Sequence, residues 1–131
     1  MTTTTTITTR TTKQRGDAAE DAALAHLEAA GLRLVTRNYR PPGRGGGEID
    51  LIVSDPRDPR ESTLVFVEVR QRASDTHGGA GGSITHGKRR RIVFAARHYL
   101  SGLRAPPPCR FDVVLVEAGG IEWLQGAFDA G

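Results

Sequence analysis

The chain has 131 residues and a formal net charge of +3, a size that fits one domain with a core of its own. Its single cysteine, Cys109, excludes an intramolecular disulfide framework and a cysteine-rich zinc site, and it favours a reducing compartment. No stretch approaches the length of a membrane span and no apolar signal-peptide core is present, so we expect a cytoplasmic protein with no membrane partner.

The beginning of the chain has the composition of a disordered segment. Nine of its first 12 residues are threonine, with no apolar periodicity. Such a segment cannot bury enough apolar surface to order itself. We therefore expect a disordered leader over residues 1–14 and a single domain over residues 15–131.

A helix rich in Ala, Leu and Glu is predicted from Asp17 to about Ala30, ended by Gly31. Asp17 is a plausible N-cap, and Glu20, three residues later, is typical of a capping box. Glu20 also shares a helical stripe with Leu24 and Leu27, the stripe that would pack on a sheet. The capping interpretation is the simpler one, and an inward-pointing Glu20 is its alternative.

The remaining elements alternate between apolar runs and turn signals, which together with the first helix gives the order αβββαββ. This order indicates an α/β domain with a mixed β-sheet flanked by helices. The predicted strands are Leu32 to Asn38, Glu48 to Val53, Leu64 to Arg70, Phe111 to Val116 and Ile121 to Gln125, and the second helix runs from about Thr85 to Leu100.

Two of these strands contain acidic residues where buried positions are expected. Strand side chains alternate between faces, so Glu48 and Asp50 share one side of the first strand, and Glu68 and Arg70 share one side of the second. If the two strands are antiparallel neighbours, Asp50 and Glu68 meet on one face. A buried carboxylate needs a partner or a metal, so the pair predicts a hard-cation site. Ion pairs of Glu68 and Arg70 with their neighbours are the structural alternative.

Separated blocks of the sequence resemble the YraN-like family of small bacterial proteins, over about residues 13 to 128. That family in turn resembles the restriction-endonuclease-like superfamily, and within it the archaeal Holliday-junction resolvases. Those enzymes cut DNA with an acidic residue, a D…ExK motif and a divalent metal. The resemblance thus implies a restriction-endonuclease-like three-layer domain. The blocks that carry it are Gly16 to Glu20, Arg37-Asn38, Gly47 to Ile52, Phe66 to Arg72, Lys88, Arg110 to Val114 and Ala127-Phe128.

Carried over to this sequence, the resemblance implies Glu20 as the first-helix acid, Asp50 as the D, Glu68 as the E and Arg70 at the position of the K. Asp50 and Glu68 would hold Mg²⁺ or Mn²⁺ between them. The Val69 carbonyl would be a further oxygen ligand, and Glu20 a direct or water-mediated one.

Arg70 departs from the motif. Lysine can orient or deprotonate an attacking water, but arginine stays protonated, so Arg70 would bind phosphate rather than act as a base. Three outcomes are open: the metal alone activates the water, Lys88 reaches into the site, or the activity has been lost.

Charge is unevenly distributed along the chain. Nine Lys or Arg residues and one acid, Asp75, lie between Val69 and Arg110, a local balance of +8. This suits a polyanion held beside a metal site, although a solvated basic helix face would give the same pattern. The phosphate-binding candidates are Arg72, Lys88, Arg89, Arg90 and Arg91.

We therefore expect a nucleic-acid-binding protein, with DNA favoured over RNA, that carries a metal-dependent phosphodiesterase site. The alternative is a non-catalytic DNA-processing accessory module that keeps the nuclease fold. Assembly as a homodimer stays open.

Overall fold

The described residues form two helices and five strands, which follow one another in the predicted order αβββαββ. The computed structural model describes residues 12–43, 46–71 and 84–130, so most of the predicted leader, and Arg72, lie outside the described residues. Neither described helix combines the length and apolar character needed to cross a membrane. The elements are α1 (Thr12–Ala29), β1 (Arg33–Tyr39), β2 (Ile49–Asp55), β3 (Thr63–Gln71), α2 (His86–Ser101), β4 (Cys109–Glu117) and β5 (Gly120–Phe128).

The five strands form one mixed sheet in the order β1-β2-β3-β4-β5. β3 and β4 pair in parallel, and the other neighbours pair antiparallel. A parallel pair needs a long crossover connection, and α2 lies in the segment that joins these two strands. The predicted α/β fold with a mixed sheet, consistent with the restriction-endonuclease-like architecture, is confirmed.

The helices cover opposite faces of the sheet and give three layers. Alternation along β2 divides the core, because Leu51 and Val53 pack with α1 while Ile52 packs with α2. The α1 side buries Ala23, Leu27, Leu32, Leu51, Val53, Val65, Val67 and Val114. The α2 side is larger and includes Ile52, Phe66, Ile92, Ala95, Ala96, Phe111, Val113 and Phe128.

The start of α1 differs from the prediction. The helix begins at Thr12 rather than Asp17, so residues 12–14 of the predicted leader belong to it. Asp17 is therefore not an N-cap, and the capping-box interpretation of Glu20 is wrong. Glu20 is instead 9% exposed and points toward the sheet. The apolar stripe that Glu20 shares with Leu27 accounts for this orientation, because the whole stripe packs inward.

A second set of buried charges lies at the far end of β2. Asp112 is fully buried and accepts hydrogen bonds from Trp123 Nε1 and Gly126 N, both at 2.9 Å. Arg110 joins it to Asp55, with contacts of 3.0 Å to Asp112 and 2.8 Å to Asp55. Hydrogen bonds from these donors compensate the burial of both acids, so we interpret the network as structural.

Candidate metal centre

Asp50 and Glu68 come together at one end of the β2–β3 pair. The antiparallel register matches Leu51 with Val67 and Ile52 with Phe66, so the next pair along is Asp50 and Glu68. Both side chains line a cavity of about 230 Å³, which we call the acidic pocket. Asp55 is five positions farther along β2, which corresponds to about 16 Å of strand. The acidic pocket and the Asp112 network are separate features of the sheet.

The surroundings of Asp50 favour a neutral carboxyl in the metal-free protein. Burial, and then the negative charge and hydrogen bond of Glu68, raise the pKa of Asp50 to about 8. The Val69 amide works against this shift by donating to Asp50 Oδ2 at 2.8 Å. Two neighbouring carboxylates repel each other when both are charged, so one of them keeps a proton unless a cation lies between them. The Val69 carbonyl ligand stays a prediction.

Glu20, Glu48 and Asp50 form a group that could hold one ion. One oxygen from each side chain lies within 4.8 Å of the others. Oxygens that bind a single hard cation at roughly 2.0–2.6 Å are separated by up to about 5 Å, so the spacing fits. Among the described residues this group leaves out Glu68, which interacts with Asp50 through its charge and a hydrogen bond. Glu48 was not predicted as a ligand, although strand alternation had placed it on the same side as Asp50.

Asn38 holds two of these carboxylates together. Its side-chain amide donates to Glu20 Oε1 at 3.0 Å and to Glu48 Oε1 at 2.7 Å. Its φ of +51° lies in the left-handed region, which asparagine tolerates better than most residues. Two cations complete the frame: Arg37 lies 3.4 Å from Glu20, and Arg40 lies 2.9 Å from Glu48. The Arg37-Asn38 block carried part of the family resemblance, but the sequence assigned Asn38 no role in the site.

The loop before β2 packs directly on α2. The Gly47 amide donates to the Arg91 carbonyl at 3.2 Å, and a Cβ on Gly47 would lie 3.0 Å from Arg91 Cβ. At Gly46 an added Cβ would lie 2.5 Å from Pro41 Cγ. A side chain at either glycine would crowd its neighbour, and this close approach holds Glu48 and Asp50 against α2.

Lys88 reaches into the acidic pocket. Its Nζ lies 2.7 Å from Glu68 Oε2, whereas Arg70 Nη1 lies at 4.0 Å from the same oxygen. Thr85 caps α2 and accepts from the Lys88 amide, which fixes the position of Lys88 on the first turn. The sequence contains two lysines, and the other one, Lys13, has an 86% exposed side chain on α1. A lysine thus occupies the pocket although the motif position on β3 carries arginine.

Comparison with known proteins places this chain in a family. The model of "Uncharacterised protein family UPF0102" matches residues 19–116. The chain belongs to the UPF0102 family. This is the YraN family predicted from the sequence, and the fold described above is consistent with a nuclease-like architecture. All the carboxylates of the pocket, and Lys88, lie within the matched range.

Several UPF0102 relatives cover most of the chain. The UPF0102 protein of Paracidovorax citrulli is 69% identical over 92% of this chain and 87% of its own length. That of Albidiferax ferrireducens is 67% identical over 92% of this chain and 91% of its own length. The UPF0102 protein of an Acidovorax species, strain JS42, is 65% identical over 92% of this chain and 89% of its own length. These names state the family and no activity.

The predicted phosphate-binding residues of this UPF0102 protein separate into two groups. Lys88 and Arg91 line the acidic pocket. Arg89 and Arg90 line a different cleft on α2, where the Arg89 guanidinium lies 5.6 Å from the centre of the Phe128 ring. Their contact with phosphate stays a prediction, as does that of Arg72.

Proposed function

We propose that this UPF0102 protein is a metal-dependent endonuclease that hydrolyses phosphodiester bonds in DNA. The observation that carries the proposal is the convergence of Glu20, Glu48, Asp50 and Glu68 on one end of the sheet, beside Lys88. Ion pairing alone does not account for this convergence. The negative charges of Glu68 and Glu20 raise the pKa of Asp50, whereas a cation paired with Asp50 would lower it.

Glu20, Glu48 and Asp50 would hold Mg²⁺ or Mn²⁺, the cations that suit an all-oxygen ligand set. The bound ion would lower the pKa of a water and neutralise charge on the scissile phosphate. Glu68 would accept a proton from the attacking water. The water oxygen would bond to phosphorus as the bond between phosphorus and the leaving oxygen breaks. Lys88 would stabilise the negative charge that develops on the phosphate. The leaving oxygen would take up a proton from solvent.

A non-catalytic accessory module is the second candidate. It is favoured by Arg70 at the motif position and by the partners that the acids already have. Asn38 binds Glu20 and Glu48, and Lys88 binds Glu68. In that case the pocket would be a self-compensated polar cluster, and the basic surface would bind nucleic acid without cutting it.

Metal titration and cleavage assays separate the two candidates. Calorimetry measures Mn²⁺ binding. Cleavage assays measure Mn²⁺-dependent hydrolysis of single-stranded, nicked and branched DNA. We expect Asp50→Ala to lose both, and Asp58→Ala, an exposed acid in the β2–β3 loop, to keep both. Equal Mn²⁺ binding by the wild type and Asp50→Ala would overturn the metal site. Metal and DNA binding by the wild type without any cleavage would favour the accessory module.

A further inference from the structure

A second, larger cavity lies along α2, outside the acidic pocket. It has a volume of about 580 Å³ and lies between the helix and the segment that follows β5. We call it the α2 cleft. The side chains that matter for its chemistry are Arg89, Arg90, Phe94, Arg97, Phe128 and Asp129. Three arginines thus face one acid, so the cleft complements an anion.

Phe94 is the unusual residue of this cleft. Its side chain is 49% exposed, although a phenylalanine on a core-facing helix normally packs inward. Its ring is held close to Gly46, where an added Cβ would lie 3.0 Å from Phe94 Cδ1. Among the exposed large apolar residues of the described chain, Phe94 is the aromatic one. It therefore presents a ring surface to solvent between cationic side chains.

Arg89 supplies an independent sign of a missing partner. Its guanidinium lies over the Phe128 ring, and its Nε is buried without a hydrogen-bond partner among the described residues. A buried N–H donor without an acceptor is destabilising, so it indicates a position where a ligand oxygen would be favourable.

The α2 cleft is connected to the acidic pocket through a small hollow of about 270 Å³. Arg90 and Phe94 line both the cleft and this hollow, and Arg91 lines both the hollow and the acidic pocket. The three cavities thus follow one another around the helix. Lys88 and Phe94 are six residues apart on α2, or about 9 Å along its axis. This axial distance is a lower bound on the path of a strand, because the two side chains also lie about 120° apart around the helix. Such a path takes at least two or three nucleotides at the rise of about 3.4 Å of a stacked strand.

We propose that the α2 cleft binds an unpaired segment of a DNA strand, with a base stacked on Phe94 and the flanking phosphates on Arg89, Arg90 and Arg97. The preferred substrates then have a single-stranded segment at least two or three nucleotides from the cut. The cutting rests on the proposed function, whereas the binding does not. An open aromatic ring among arginines suits a nucleic-acid strand, because bases stack and phosphates pair with guanidinium groups. An apolar peptide would leave the net positive charge of the cleft without an anion.

The test measures binding without metal. Fluorescence anisotropy in EDTA compares single-stranded oligothymidine with a duplex of equal length. We expect Phe94→Ala to weaken single-strand binding roughly 5- to 150-fold, the range of one stacked base, and to change duplex binding less than about twofold. Phe94→Trp should retain single-strand binding. Val35→Ala, which shortens another exposed apolar residue, should change neither. Thermal unfolding checks that each variant is folded.

Three results would overturn this inference: no single-strand binding by the wild type, equal losses for both DNA forms in Phe94→Ala, or competition by thymidine monophosphate as strong as that by the oligonucleotide. The last would indicate a mononucleotide site. The two proposals fail separately. Phe94-dependent binding without Mn²⁺-dependent cleavage would reject the nuclease and keep the strand site. Mn²⁺-dependent cleavage together with single-strand binding that does not depend on Phe94 would reject the strand site and keep the nuclease.

Discussion

At the scale of single residues, the candidate site depends on side chains that hold the carboxylates as much as on the carboxylates themselves. Asn38 bridges Glu20 on α1 and Glu48 before β2, two residues that are distant in sequence. Without it the two acids would repel each other more strongly. Partners of this kind set ligand orientation and thereby metal affinity.

Asn38→Gly is expected to weaken Mn²⁺ binding about 10- to 100-fold while the protein stays folded. Glycine adopts the left-handed φ of this position without strain, so the variant removes the amide alone. Asn38→Ala should lose the same affinity and also up to about 1–2 kcal/mol of stability, because alanine lacks the polar side chain by which asparagine tolerates this φ. Calorimetry and urea unfolding measure the two effects. Unchanged Mn²⁺ affinity in Asn38→Gly would contradict the positioning role.

Lys88→Met is expected to lower the cleavage rate by about 100-fold or more, because it removes the positive charge that would stabilise the phosphate. Mn²⁺ affinity should stay equal or rise, because the Lys88 ammonium repels a cation bound in the same pocket. Lys13→Met is the matched control and should cleave at the wild-type rate. Arg70→Lys should preserve or raise cleavage, since it restores the lysine of the motif. Steady-state cleavage assays at saturating Mn²⁺ provide the measurement. Wild-type rates in Lys88→Met would show that Lys88 does not replace the motif lysine.

At the scale of secondary-structure elements, α2 is the element that links the core to the site. Ile92, Ala95 and Ala96 pack on the sheet, while Lys88 and Arg91 line the acidic pocket. Gly47 lies against the same helix through the hydrogen bond that its amide donates to the Arg91 carbonyl. The position of β2 relative to α2 therefore decides whether the carboxylates and Lys88 meet.

Gly47→Ala is expected to destabilise the protein by about 1–3 kcal/mol and to weaken Mn²⁺ binding, because the new methyl group would push the loop away from Arg91. Gly119→Ala, where an added Cβ meets open space, should change stability by less than about 0.5 kcal/mol. Urea unfolding and Mn²⁺ calorimetry on both variants provide the comparison. A Gly47→Ala protein as stable as Gly119→Ala would mean that the loop is not held against the helix.

At the scale of the whole molecule, the sheet buries acidic residues at two ends and compensates them differently. Asp55 and Asp112 share Arg110 and receive further donors, and Arg57 foremost holds the pKa of Asp55 well below its usual range. Asp50 and Glu68 share less compensation, and the pKa of Asp50 rises. One end is built for stability, and the other stores electrostatic repulsion that a cation would relieve.

Asp112→Ala is expected to lower the free energy of unfolding by about 3–5 kcal/mol, because it leaves Trp123 Nε1 and the Gly126 amide without their acceptor. Mn²⁺ affinity should remain at the wild-type value at temperatures where the variant is folded, since the network lies at the other end of β2. Asp58→Ala, an exposed acid, should be nearly neutral in urea unfolding. A loss of Mn²⁺ affinity in folded Asp112→Ala would show that the two ends are coupled.

The metal-free protein is expected to lose stability as pH rises from 5 to 8. The pKa of Asp50 is raised from 3.8 to about 8, so the folded state keeps a proton that the unfolded chain has released. The stabilisation is complete below 3.8 and is lost as pH approaches 8, at no more than about 1.4 kcal/mol per pH unit. Asp55 does not contribute in this window, because its lowered pKa affects stability below its ordinary value.

Urea unfolding in EDTA at pH 5, 6.5 and 8 measures this dependence. Asp50→Asn should flatten the profile, and Mn²⁺ at pH 8 should restore stability to the wild type but not to Asp50→Asn. A flat wild-type profile would show that Asp50 is ionised throughout and that its carboxylate is already compensated.

The sequence by itself determined the element order, the mixed sheet and the side of the sheet on which Asp50 and Glu68 lie. These follow from local regularities: apolar periodicity gives element type, and strand alternation gives the face. It also indicated the family, through blocks that the UPF0102 match confirms. The inward Glu20 was present as an alternative, but the start of the first helix was predicted five residues too late, and the capping role of Glu20 was wrong.

The tertiary structure alone decided which residues from distant elements share the site. Asn38 and Glu48 meet Glu20 because α1 packs beside the β1–β2 edge, and Lys88 meets Glu68 because α2 crosses the other face. Such contacts depend on how the layers pack, and no periodicity or motif spacing encodes them. For the same reason, the sequence marked Arg89 and Arg90 as basic but not the exposed Phe94 between them and Arg97, since exposure is a property of the packed helix.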